Sequence, residues 1–217
     1  MEAWILEKVI DFDDFAKRID PELFTEASEF RSRLEYSAEK TLADLGLKVG
    51  GAGHIELIYF VVKRLGPKTV LETGVSVGFS SNTILSALSG VEGGELYSSD
   101  LPYFRLPDPE RLVGCLVAQP RPSNWHLYTS GDESNLLQIT KSLLTKIDLI
   151  HYDSDKTYQG KKWCFEVLQP YVSAEAIWIF DDIQDDNFFY DLVRSRELNY
   201  QIFLYGGKYV GLIGNLA

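Results

Sequence analysis

The stretch Val70-Leu71-Glu72-Thr73-Gly74-Val75-Ser76-Val77-Gly78-Phe79-Ser80-Ser81 begins as a buried-type strand, breaks at two glycines and runs into the helical-looking SNTILSAL. Strand, glycine loop and helix together form the opening unit of a parallel α/β sheet. Gly74 and Gly78 let the backbone turn sharply and approach a ligand where a Cβ would block it. The helix that starts near Ser80 offers unpaired N–H groups to a negative group.

Outward from this unit the same alternation continues. HIELIYFVVKRL reads as a helix and KTVLET as the strand before the glycines; ELYSSD is a second strand. A Pro-rich, loop-like piece follows, then the strand WHLYTS, the helix ESNLLQITKSLL, the strand IDLIHYD, the helix YQGKKWCFEVLQPYV, the strand AIWIFDDI and the helix NFFYDLVRSRE. Strands that are apolar throughout, each followed by a helix, predict a parallel sheet covered on both faces. The end differs: NYQIFLYGGKYVGLIGN holds two β-rich runs around Tyr205-Gly206-Gly207-Lys208, a hairpin signal. Residues 1 to about 48 are polar and charged without strand-like runs, and Pro21 opens a helical segment that Gly46 can stop. The expected architecture is an α/β, doubly wound, mostly parallel sheet ending in an antiparallel hairpin, preceded by an N-terminal helical extension and forming one domain over residues 1–217.

Composition narrows the function classes. A chain of 217 residues buries a substantial core without staples, and 45% hydrophobic with 24% charged residues is ordinary for a globular protein. The net charge of −11 argues against a nucleic-acid backbone or an anionic membrane as partner. Cys115 and Cys164 stand too far apart for a short metal motif and read as reduced core thiols. MEAWILEKVIDFDDF lacks a basic segment followed by an apolar run, and no stretch approaches a membrane span, so the expectation is a cytoplasmic protein.

The glycine spacing separates ligands. A dinucleotide fingerprint is G-x-G-x-x-G, whereas Gly74 and Gly78 stand four apart. Glu72, two before the first glycine, is awkward beside a pyrophosphate but suits a cation, while Ser80 and the helix N-terminus suit a carboxylate. An amino acid carries both groups, and S-adenosylmethionine adds a sulfonium. Asp100 closes the next strand, 22 residues after Gly78, where a carboxylate accepts from ribose hydroxyls. Gly131-Asp132 ends the strand after that, placed to reach an adenine amino group. One acid at a strand end is readily a helix cap; three on successive strands are harder to explain that way.

On these residues the chain resembles the class I S-adenosylmethionine-dependent methyltransferases over roughly residues 50 to 214. The resemblance implies a Rossmann-like sheet of seven strands ending in the hairpin. It puts Glu72, Gly74, Gly78 and Ser80 in the cofactor loop, Asp100 on the ribose and Asp132 by the adenine.

A second set concerns the chemistry. Asp153 ends one expected strand, and Asp181 and Asp182 end the next, so adjacent strands bring these carboxylates to the cofactor's edge. Clustered carboxylates repel and need a cation, a proton or separate partners; Mg²⁺ is one solution. The pattern Asp153-Ser154-Asp155-Lys156 with Asp181-Asp182 downstream is similar to the metal-dependent, catechol-type O-methyltransferases (Asp-Ala-Asp-Lys, then Asp-Asn). It is also similar to a broader, methyltransferase-24-type bacterial group (Asp-Ser-Asp-His-Thr-Tyr, then Asp-Asp). Lys156 replaces the histidine of the second group, and Asp182 the asparagine of the first. The resemblance implies Mg²⁺ on Asp153, Asp181 and Asp182 holding an acceptor hydroxyl of a small molecule, with Lys156 as the base. Lys156 as a solvated loop lysine and Asp182 as a helix cap are the plainer alternatives.

Other residues say less. His54 reads as packing at the edge of the pocket, His126 has no visible partner, and His151 reads as a satisfied strand histidine. Tyr103, Phe104, Phe188, Phe189 and Tyr190 suit either an acceptor pocket or core filling. An NAD-linked oxidoreductase and a cofactor-binding protein without catalysis are the competing readings, and the N-terminal helices suit a homodimer.

Overall fold

In the computed structural model, residues 2–49, 52–102 and 108–216 are described. Helix α1 (Glu2–Lys8) leads into a two-residue strand β1 (Val9–Ile10), followed by α2 (Phe12–Ile19), α3 (Pro21–Asp44) and α4 (Ile55–Leu65). The alternating part runs β2 (Thr69–Thr73), α5 (Phe79–Leu88), β3 (Glu95–Ser99), the single turn α6 (Pro109–Leu112), β4 (Trp125–Tyr128), α7 (Asp132–Ser142), β5 (Ile147–Tyr152), α8 (Tyr158–Leu168), β6 (Val172–Phe180) and α9 (Phe188–Ser195). It closes with β7 (Tyr200–Tyr205) and β8 (Lys208–Ile213).

Sequence chemistry sets the helix limits. Asp20 caps α3, accepting from the Leu23 N–H at 2.9 Å, and Pro21 takes the first position, where a missing N–H costs nothing. Gly66, left-handed at φ 56°, ends α4 and bonds back to the Val62 carbonyl. Gly206 and Gly207, with φ of 55° and 83°, form the two-residue turn whose twist matches the β7–β8 hairpin.

The sheet order is β1-β7-β8-β6-β5-β2-β3-β4. β2 lies parallel between β5 and β3, β6 is parallel to β5, and β8 is antiparallel to both β6 and β7. Among the described residues the sheet thus has eight strands where seven were expected, and the extra one lies in the N-terminal segment read as strand-free. Val9 and Ile10 pair parallel with Ile202 and Phe203, covering the hydrogen-bonding edge of β7. Two residues are too short for an alternating pattern, so β1 leaves no signal in the sequence.

Successive strand residues feed opposite faces. Val70, Leu96, Leu149 and Ile177 pack with α4 and α5; Leu71, Tyr97, Ile150 and Trp178 pack with α7, α8 and α9. All five residues of β2 are buried, so the strand has no solvent-facing side, and its one carboxyl, Glu72, is met by serine hydroxyls. Each apolar side chain among the strand residues named contributes about 1.5–3 kcal/mol by leaving water. α1 reaches the second face through Ile5, with Trp4 set edge-on against Tyr190 at 4.9 Å. The chain leaves β2 toward β3 and β4 on one side and returns to β5 and β6 on the other. The crevice at the ends of β2 and β5 is therefore where such sheets hold ligands.

Among the described residues no helix is long and apolar enough to cross a membrane. Cys115 and Cys164 are both free thiols, Cys164 buried.

Candidate active site

A cavity of about 640 Å³ opens over these strand ends. Its walls include Gly74–Val77, Phe79 and Ser80 after β2, Asp100 and Leu101 after β3, and Gly131–Glu133 after β4. His151 and Asp153–Lys156 from β5 and its loop, with Asp182 and Lys208, close the other end.

Gly74 stands at φ 82°, and a Cβ there would collide with the Asp153 carbonyl, because the segments leaving β2 and β5 cross in contact. The Asp153 N–H donates to the Thr73 carbonyl at 2.9 Å at this crossing. Gly78, at φ 98°, serves a different neighbour: a Cβ would lie 2.8 Å from the Gly114 Cα. Gly78 is absent from the cavity wall, so its need for glycine is the packing of residues 114–117 onto the loop.

Asp100 holds the loop's shape. Its Oδ2 accepts from the Val75 and Ser76 N–H groups at 3.1 and 2.6 Å, and its Oδ1 from the Leu101 N–H at 2.6 Å. Burial pushes its pKa up and those three N–H groups pull it back only in part, leaving it above the usual carboxylate value. Asp132, the first residue of α7, accepts from Ser99 and Ser154 hydroxyls, both at 2.5 Å, and so ties the ends of β3 and β5 together. Asn135, fully buried one turn on, donates to the Ser99 hydroxyl and to the Asp100 and Tyr128 carbonyls. Sequence reasoning missed Asn135; its one trace was an amide on the same helix face as Leu136 and Ile139.

Glu72 does not line the cavity. Its carboxyl is completely buried, with Oε2 accepting from Ser81 at 2.6 Å and Ser98 at 2.7 Å, and burial raises its pKa. Its Oε1 has no protein partner and stands 4.0 Å from His151 Nδ1. His151 does line the cavity, and both its ring nitrogens lack hydrogen-bond partners, against the expectation of a satisfied strand histidine. Burial favours its neutral form.

His54 packs as expected, its Nδ1 accepting from the Leu57 N–H and its ring stacked on Tyr205 at 4.4 Å. Burial lowers its pKa to about 3. His126 has a partner after all, Glu95 at 2.7 Å on the neighbouring strand.

At the other end lie Asp153, Lys156, Asp181 and Asp182. The Lys156 ammonium pairs with Asp153 and, at 3.1 Å, with Asp182 Oδ2. Lys208, from the hairpin turn, lies 3.1 Å from both Asp182 oxygens. Gln184 donates to Asp182 Oδ1, and the buried Lys161 donates to the Asp182 carbonyl at 2.9 Å while pairing with Asp186. Burial works against charge on Lys156, but Asp153 and then Asp182 outweigh it, and its pKa sits above the ordinary value. Burial likewise opposes charge on Asp182, yet Lys156 and Lys208 bring it below the usual range. Asp181 differs: it is 7% exposed, its Oδ1 has no partner, and burial followed by Asp153 pushes its pKa up to about 8.

Two of the expected metal ligands, Asp153 and Asp182, are paired with lysines in this structure. Among the described residues no three His, Cys, Asp or Glu side chains come together as metal ligands. Lysine ammoniums take one oxygen of Asp153 and both of Asp182. Lys156 is held as a cation by these carboxylates, where the sequence reading gave it the part of a base. Lys208 and Lys161 were missed because both arrive from distant segments. Tyr103 and Phe104 lie outside the described residues; Phe188 and Phe189 are core, 4% and 1% exposed, and neither they nor Tyr190 lines the cavity.

Several solved structures similar to this chain are methyltransferases. An O-methyltransferase from Bacillus cereus in complex with SAH is 15% identical at a TM-score of 0.60, with 97% of this chain and 100% of that chain covered. A methyltransferase from Geobacter sulfurreducens is 16% identical at 0.61, covering 85% and 90%. The O-methyltransferase TomG from Streptomyces achromogenes, involved in tomaymycin synthesis and in complex with SAM, is 15% identical at 0.57, covering 94% and 95%. No curated protein sequence matches the chain. The match that reaches beyond fold is to a family model described as a methyltransferase domain, over residues 71–183. That span runs from the second half of β2 past Asp181 and Asp182, more than half of the 217 residues, and the chain belongs to this methyltransferase-domain family.

Proposed function

We propose that the protein transfers the methyl group of S-adenosylmethionine to an oxygen of a small hydroxylated molecule. The observation that carries the reading is a single cavity with a glycine-loop, acid-lined end and a carboxylate–lysine end. The first end suits the cofactor. The amino-acid part would sit at Gly74 and Ser80 against the N-terminus of α5, the ribose at Asp100 and the adenine beside Leu101 and Asp132. Asp100 has three of its roughly four acceptor positions engaged by the protein, leaving one for a ribose hydroxyl. Glu72 acts from beneath, through the serines it positions.

The acceptor oxygen attacks the sulfonium methyl in line, so the site's work is alignment and electrostatics. Asp153, partly exposed on the cavity wall, is the carboxylate that receives the hydroxyl proton. Mg²⁺ does not fit the residues present, since Asp153 and Asp182 already hold ammoniums, and no step runs through it. The oxygen acceptor and the SAM and SAH ligands belong to the similar structures, and here they support the reading.

Isothermal titration with S-adenosylmethionine, S-adenosylhomocysteine and NAD⁺ tests it, followed by turnover against phenols, sugar hydroxyls and carboxylates. Binding of the first two with methyl transfer to a hydroxyl is expected. Binding of NAD⁺ alone would overturn the reading in favour of an oxidoreductase.

A further inference from the structure

We infer that the ammonium groups of Lys156 and Lys208 stand in for a divalent cation at the acceptor end of the cavity, making the methyl transfer metal-independent. The inference rests on the methyl-transfer reading and concerns how its acceptor oxygen is activated.

The geometry of Asp182 is the basis. Every acceptor atom of this residue is engaged: Oδ1 by Gln184 and Lys208, Oδ2 by Lys156 and Lys208, and the main-chain carbonyl by Lys161. Its backbone is left-handed at φ 53°, and Lys161, 1% exposed and paired with Asp186 at 2.9 Å, holds that turn in place. Asp153 shares Lys156 with it, so one ammonium bridges the two carboxylates closest to the acceptor. A divalent ion bound between Asp153 and Asp182 would have to expel Lys156 and tolerate Lys208 beside it, two positive charges against its own. Asp181 does not restore a ligand set facing the acceptor, because it is buried and absent from the cavity wall.

The chemistry balances without a metal. An acceptor hydroxyl at the rim donates its proton to Asp153, while Lys156 and Lys208 stabilise the negative charge developing on oxygen. The new O–C bond forms as the C–S bond breaks, and the sulfur leaves with the electron pair as a neutral thioether. The lysines thus supply the charge stabilisation that a Lewis acid otherwise gives. An acceptor with an acidic hydroxyl, phenolic or enolic, is the class this weaker polarisation serves.

Titration of Mn²⁺ into the protein with S-adenosylhomocysteine present, followed by calorimetry and by the electron paramagnetic resonance of free Mn²⁺, tests the substitution. Wild type is expected to take up no Mn²⁺. Lys156→Met with Lys208→Met exposes the unpaired carboxylates and is expected to bind it, at least about tenfold more tightly than wild type. Lys156→Arg, which keeps the charge, is expected to bind none. If the double variant fails to fold, the melting temperature of wild type in Mg²⁺ and in chelator decides: equal values are expected, and a rise with Mg²⁺ overturns the inference. Uptake of Mn²⁺ by wild type, or a folded double variant that gains no affinity, also overturns it. Absence of S-adenosylmethionine binding would instead sink the methyl-transfer reading itself, so the two failures are distinguishable.

Discussion

Replacing Gly74 by alanine puts the central crossing of the site to the test. Gly74 sits at φ 82°, where a Cβ costs about 1–2 kcal/mol in backbone strain. That Cβ would also run into the Asp153 carbonyl, a backbone atom held by the strand end and unable to rotate away. Relief requires one segment to retreat by about an ångström, an overpacking cost of about 1–3 kcal/mol. The expected loss is therefore about 2–5 kcal/mol. Gly46 provides the control: it has φ 65° and nothing within 4 Å of a Cβ, so Gly46→Ala carries the strain alone, about 1 kcal/mol. For a chain of this size each kcal/mol moves the melting temperature by about 2–4 °C. Urea unfolding of the two variants, with calorimetric titration of S-adenosylmethionine into each, measures both consequences. Gly74→Ala should lose stability well beyond Gly46→Ala and lose cofactor affinity, because Asp153 moves with the collision. Equal stabilities and unchanged affinity in Gly74→Ala would refute the argument that the two strand ends are in obligatory contact.

Asp181, with its pKa raised to about 8, binds a proton in the fold that the unfolded chain releases near pH 4, so stability falls as pH rises between about 4 and 8. Asp181→Asn should flatten that limb by on the order of a few kcal/mol in urea titrations across the window; an unchanged slope would contradict it. His54 acts in the opposite sense: its folded pKa near 3 lies below its ordinary value, so stability falls as pH drops from about 6.5 toward 3. His54→Gln should remove part of that acid limb in melting curves. Lys161→Met leaves Asp186 and the Asp182 carbonyl without their buried cation, and denaturant unfolding should show a loss of about 3–5 kcal/mol, with a cost under 1 kcal/mol refuting the clamp.

The parts of the fold that were legible in the sequence share one property: their signal is local. The β2 run, the Gly74 turn and the glycine pair of the hairpin each carry their chemistry within a few residues. Asp100 and Asp132 were legible because an acid between a strand and the next helix, or opening that helix, stands at a sheet edge whatever the rest of the chain does. What escaped depends on residues far apart in sequence. β1 exists because Ile202 and Phe203 offer an edge, and Gly78 is glycine because of Gly114. The cation beside Asp182 is a lysine because a hairpin 26 residues downstream brings Lys208 to it. Asp153, Asp181 and Asp182 were read as repelling carboxylates in need of a cation, a proton or separate partners; lysines pair with Asp153 and Asp182, while burial raises the pKa of Asp181.

The cavity's walls run from Val49 to Lys208. A nascent chain therefore completes the acceptor end, where Lys208 stands, only when the last hairpin has been made. A small molecule that fills the whole cleft favours the chain in which both ends have formed over forms that lack the hairpin.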